Sequence, residues 1–173
     1  GDWSGLADAS SWGDSRLRMG LLVDTEFVST RNSTALGDDN RGVDDEDGVI
    51  LPPLTAGAPA SIPVIVTNTT DALAYLNAWF DFNNNQETDP GEQIANNVVI
   101  EAGLLESEMD LNFTVPAGAT VGSSVGLRFR LTNTLSPGAV GNSGIGEVED
   151  YTANIAAPVT DFGDWSGAGL ASN

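Results

Sequence analysis

The side chains able to do chemistry in this chain are almost all oxygen donors. Asp38, Asp39, Asp44, Asp45, Glu46 and Asp47 place six carboxylates in ten positions, with Arg41 as the one counter-charge and glycines at 37, 42 and 48. Two like charges 4 Å apart repel by about 1 kcal/mol in water and by more beside protein. Packing such a group against a sheet without a cation costs on the order of a few kcal/mol. The glycines let the backbone wrap so that oxygens converge, and Ca²⁺ takes roughly six to eight oxygen ligands. A solvated acidic linker is the competing reading. Val49-Ile50-Leu51 follows at once and ties the loop to an apolar strand, which favours metal.

A second group lies in Asp81-Phe82-Asn83-Asn84-Asn85-Gln86-Glu87-Thr88-Asp89-Pro90-Gly91-Glu92. Asp81, Asn83 and Asn85 sit at i, i+2 and i+4, with Glu92 at the twelfth position, as in an EF-hand loop. Gln86 stands where that loop needs glycine, and Trp79-Phe80 before it has strand character, so this is not an EF-hand. It is either an Asx-rich Ca²⁺ turn between strands or an ordinary Asn-rich hairpin loop. A third group is Gly146-Glu147-Val148-Glu149-Asp150-Tyr151. Here Val148 is the expected core residue, with Glu147 and Glu149 on the other face. Arg128 and Arg130 alternate in the same way on the preceding strand, so cross-strand ion pairs among Arg128, Arg130, Glu147, Glu149 and Asp150 are the expectation.

The composition removes most other chemistry. The 173 residues contain no Cys and no His, which excludes disulfides, thiol chemistry, Cys/His zinc sites and His-based triads. All six basic residues are Arg, so Schiff bases and Lys isopeptide links are excluded as well. A carboxylate pair could in principle cleave glycosides, but among 25 acids nothing selects one pair. The expectation is that the chain is not an enzyme. A net charge of −19 repels nucleic acid and anionic membranes, and attracts cations. No apolar stretch is long enough for a membrane-spanning helix, so direct membrane insertion is not expected.

The elements that must position these groups read as β. Strands are expected near Val49–Leu54, Ser61–Asn68, Leu73–Phe82, Ile94–Ile100, Glu106–Val115, Ser124–Thr132 and Glu147–Ile155, with a further apolar run from Leu17 to Val23. Leu127, Phe129 and Leu131 alternate with Arg128, Arg130 and Thr132, the period of a strand. Pro52-Pro53, Asn68 to Asp71, Pro116 to Gly118 and Ser136 to Gly138 punctuate the strands. Glu101 to Met109 offers at most one helical turn. The fold class expected is all-β, an antiparallel β-sandwich of jelly-roll or Ig-like type with about seven or more strands and an acidic, loop-rich N-terminal segment. Residues 1–48 would be that segment packed on the sandwich, 49–157 the core, and 158–173 a linker with the start of another repeat. The last point rests on Gly1-Asp2-Trp3-Ser4-Gly5, which recurs as Gly163-Asp164-Trp165-Ser166-Gly167. The chain then holds one full period of a tandem array, cut or processed from a longer protein, with Trp3 and Trp165 in contacts between repeats.

The segment Gly146 to Tyr151 resembles the signature of the bacterial GEVED domain family. Asp44-Asp45-Glu46-Asp47-Gly48-Val49, Trp79-Phe80-Asp81-Phe82-Asn83 with Gly91-Glu92, and Leu127-Arg128-Phe129-Arg130-Leu131 resemble its other motifs, in order. Leu22-Val23-Asp24-Thr25-Glu26 and Asp161-Phe162-Gly163-Asp164 do so at the two ends. The resemblance implies a secreted or cell-surface setting and a tandem repeat in adhesion, a fibre or a matrix. Joined to the acidic loops, it gives a Ca²⁺-stabilised structural repeat whose ligands come from Asp24, Glu26, Asp38, Asp39, Asp44, Asp45, Glu46 and Asp47. Asp81, Asn83, Asn85 and Glu92 form a second set. The expected partners are neighbouring repeats of the same protein and a surface or matrix glycan. The alternatives are a carbohydrate- or ligand-binding β-sandwich module and a self-assembling filament subunit.

Overall fold

The computed structural model describes residues 9–21, 47–135 and 137–159, and within them the chain is strand, turn and loop without a helix. Nine strands follow in order: β1 (Ala9–Trp12), β2 (Leu17–Met19), β3 (Leu54–Thr55), β4 (Pro59–Asn68), β5 (Ala74–Phe80), β6 (Gln93–Ile100), β7 (Leu104–Thr114), β8 (Ser124–Thr132) and β9 (Gly141–Ala156). They form two sheets. The larger runs β1-β9-β8-β5-β6, with β3 also on β9; the smaller runs β2-β4-β7. The expected all-β class stands. The expected turn of helix after Glu101 is instead part of β7, where side chains from Ser107 to Phe113 alternate between half-buried or buried and exposed.

Two features depart from the strand reading. β1 and β3 run parallel to β9, at its two ends, whereas the other ladders are antiparallel. β9 is 16 residues long and β8 only 9, so β9 has free edge for two short strands. The expected strand Val49–Leu54 is broken: Val49 makes a lone bridge to Val64, and regular pairing resumes only at Leu54. Pro52 and Pro53 between them have no N–H to give a ladder.

Side chains from both sheets fill one core. Leu17, Met19, Ile62, Val64, Val66 and Leu111 come from the smaller sheet; Leu76, Ala78, Phe80, Leu127, Phe129 and Leu131 come from the larger. Each such large side chain contributes about 1.5–3 kcal/mol on burial. Phe80 and Phe82 stack at 4.4 Å, and Phe113 of β7 meets both at 6.1 Å, which couples the sheets. β8 is buried from Val125 to Thr132 on both of its faces. Leu127, Phe129 and Leu131 join the core, and the Arg128 and Arg130 face is covered by the segment from Gly138 to Gly141.

Candidate functional site

The loop from Asp81 to Glu92 joins β5 to β6 and is held at both ends. Asp81 N donates to Gly126 O at 2.9 Å, and Phe80 N to Glu92 O at 2.8 Å. The bends expose amides inward, and the acids take them. Asp81 accepts from Asn85 N at 3.0 Å and Gln86 N at 2.9 Å. Glu92 accepts from Asp89 N at 2.9 Å and Asn83 N at 3.4 Å. Both acids are buried, at 2 % and 4 % exposure. Burial pushes the Glu92 carboxyl up; the two amides oppose this, and the charges of Asp81 and Asp89 add to it. Asn83 and Asn85 accept from backbone amides two residues on, while both carboxamides donate to Asp89 Oδ2 at 2.7 and 2.8 Å. Of the expected second ligand set, Asp81, Asn83, Asn85 and Glu92 therefore share one hydrogen-bonded loop, and Asp89 belongs with them. Its position, nine residues into the loop, is one an EF-hand loop also uses, so the spacing already carried that signal. The missing glycine is accommodated directly, since Asn84 and Gln86 both take positive φ, 57° and 66°.

The register of β8 with β9 corrects the expected ion pairs. Leu127 faces Tyr151, Phe129 faces Glu149 and Leu131 faces Glu147, whereas Arg128 faces Asp150 and Arg130 faces Val148. Directly opposed residues share a face. Glu147 and Glu149 thus point to the core side, away from both arginines, and Val148 lies on the arginine side. Of the three acids only Asp150 shares a face with Arg128, and the two form a two-pronged pair at 2.7 and 2.6 Å. Arg128 also donates to Ala139 O at 2.9 Å, and Arg130 to the carbonyls of Gly138, Val140 and Gly141. Burial, with Arg128 beside it, pulls the Arg130 guanidinium down to about 10, which leaves it charged at neutral pH.

On the core side, β9 carries a second acidic group. Glu147 Oε2 accepts from Met19 N at 2.5 Å. Glu149 Oε2 accepts from the Tyr151 hydroxyl at 2.9 Å, and that hydroxyl lies 3.2 Å from Val49 N, which donates to it. Asp47 accepts from Leu21 N with both oxygens, at 3.0 and 3.1 Å. Burial holds Glu149 well above the carboxylate range, and the charges of Glu147 and Asp47 add to this. Among the described residues, no three acidic side chains stand ready-made around a metal position. Of the first expected ligand set only Asp47 is described. Asp24, Glu26, Asp38, Asp39, Asp44, Asp45 and Glu46 lie outside the described residues, as do Trp3 and Trp165.

Residues 75–154 match the family model of the GEVED domain. The matched stretch begins one residue into β5, contains the 81–92 loop and β6 to β8, and ends inside β9. No curated protein and no solved structure matches the chain.

Proposed function

We propose, from the match of residues 75–154 to the GEVED domain model, that the chain is a Ca²⁺-stabilised structural repeat of a long extracellular bacterial surface, fibre or matrix protein. Its two sheets act as a load-bearing β-sandwich. The observation that carries the reading is the 81–92 loop, where two buried carboxylates share one hydrogen-bonded turn with Asp89, Asn83 and Asn85, fixed to β8. Rotating the two carboxamides turns their oxygens toward Asp89's position and gives a hard, all-oxygen donor set, the kind Ca²⁺ selects. The cation offsets the repulsion that the loop's amides now offset alone.

The role is mechanical. A Kd of about 10 μM against about 1 mM Ca²⁺ adds about 2.7 kcal/mol of stability, a sizeable share of a domain's total. A repeat with no Cys and no Lys has no covalent staple to do this. Neighbouring repeats are the proposed partners, and a surface or matrix glycan is the second. Thermal unfolding in EDTA, in 1 mM Ca²⁺ and in Mg²⁺ at matched ionic strength tests the reading. Ca²⁺ alone is expected to raise Tm by about 5–10 °C, at about 2–4 °C per kcal/mol for a chain of this size. Coincident curves would end the calcium reading.

A further inference from the structure

We propose that Asp47, Glu147 and Glu149 form a second Ca²⁺ site, which clips the chain entering at Gly48 to the core side of β9. The proposal deepens the calcium reading above and rests on it. It begins from the β9 register, which sends two carboxylates two residues apart toward the interior, opposite Leu131 and Phe129. Nothing in apolar packing calls for acids there.

The independent observation is at Glu149. The residue is 2 % exposed, and its Oε1 is buried without a hydrogen-bond partner, although the carboxylate takes the Tyr151 hydroxyl on Oε2 and a backbone hydrogen bond from Gly48. A buried carboxylate oxygen facing no donor is costly. It calls for a cation or a proton. Two glycines then shape the space. A Cβ on Gly20 would fall 1.7 Å from Asp47 Oδ1, and one on Gly48 would fall 2.8 Å from Glu149 Oε2 and 2.5 Å from Met19 Cβ. Side chains are missing where the carboxylates close on the backbone. Gly20 also has φ +60°, a conformation that favours glycine.

The donors are all oxygens, and Glu149 Oε1 has its accepting capacity untaken. Three carboxylates supply up to about six oxygens, in the range Ca²⁺ needs, and Ca²⁺ accepts irregular geometry where Mg²⁺ demands a near-ideal octahedron. The cation would draw the three groups together. Arg128 and Arg130 cannot substitute, because they lie on the opposite face of the sheet.

The test is Ca²⁺ titration calorimetry with thermal unfolding on the full chain, comparing wild type, Glu149→Gln, Glu147→Gln and the loop variant Asp81→Asn/Glu92→Gln. Wild type is expected to bind two ions. The loop variant keeps one, and the β9 variants lose that one while keeping the other. In EDTA, Glu149→Gln is expected to melt no lower than wild type, since a neutral amide replaces a buried acid, yet to gain less from Ca²⁺. If Glu149→Gln and Glu147→Gln retain full stoichiometry and full Ca²⁺ gain, Glu149 holds a proton and the proposal falls. Binding that only the loop variant loses would leave the calcium reading standing and this site refuted. No binding to wild type would overturn both.

Discussion

Gly146 shows how narrowly one residue is specified. Its φ is +148°, and a Cβ placed on it would lie 1.9 Å from Leu131 O. Backbone cannot move aside as a flexible side chain can. Gly146→Ala is expected to lose at least about 3 kcal/mol, from strain and from disruption of the β8–β9 ladder, read as a drop in the urea midpoint. Asp150 is specified by charge instead. It takes Arg128 with both oxygens, and the Arg128 side chain is only 8 % exposed. Removing one partner strands the other, and breaking a buried pair costs about 3–5 kcal/mol. Because Asp150 is itself 27 % exposed, Arg128→Ala is expected at the lower end of that range, measured by chemical denaturation. Arg128→Met in an Asp150→Leu background should recover much of the loss, because it leaves neither charge stranded.

At the scale of elements, two strands carry bulges built in the same way. Leu76 pairs with Val98 and Ala78 with Ala95, so Asn96 and Asn97 together oppose Asn77; Asn97 has φ 50° and donates its N–H to Asn77 Oδ1 at 2.9 Å. Val66 pairs with Ser107 and Asn68 with Leu104, so Leu105 and Glu106 oppose Thr67; Glu106 has φ 48° and donates to Thr67 Oγ1 at 3.0 Å. In each case a buried polar side chain takes the amide that the bulge removes from the ladder. Thr67→Val is isosteric and leaves the Glu106 amide without that acceptor. It is expected to cost about 1–2 kcal/mol, with faster amide exchange at Glu106 as the local readout. Such devices explain what the sequence concealed. Ser124–Thr132 was legible to its last residue, because its alternation and flanking turns agree with the tertiary structure. The neighbouring β9 was legible as a strand but not in its facing. Val148 between two glutamates reads as an inward apolar residue, yet the sheet is covered on both sides, so polarity no longer reports which side is the core. The 81–92 loop was visible because Asx spacing is local chemistry. The inward facing of Glu147 and Glu149 was not, since only the long-range register of β8 with β9 sets it.

For the whole molecule the governing fact is 25 acids against six arginines. Two of those arginines, Arg128 and Arg130, are buried on one face of β8, where they tie down the segment from Gly138 to Gly141 rather than neutralise the surface. On the outward row Glu106, Glu108 and Asp110 of β7, Arg18 stands 3.4 Å from Glu106. Such an exposed pair is worth about 0–1 kcal/mol. The folded chain therefore concentrates negative charge that the unfolded chain spreads out, and self-repulsion opposes folding. Two remedies differ in their salt dependence. Diffuse counter-ions screen over a Debye length that falls from about 10 Å at 0.1 M to about 3 Å at 1 M salt. Ions held at fixed carboxylates remove charge at its densest points and leave less for salt to screen. In EDTA, Tm is expected to climb steadily between 0.1 and 1 M NaCl. In 1 mM Ca²⁺ it should begin higher and climb less over the same range, as calorimetry can show. A parallel climb in both conditions would mean that bound ions neutralise nothing, and that the stability of the acidic chain is set by the ionic strength around it.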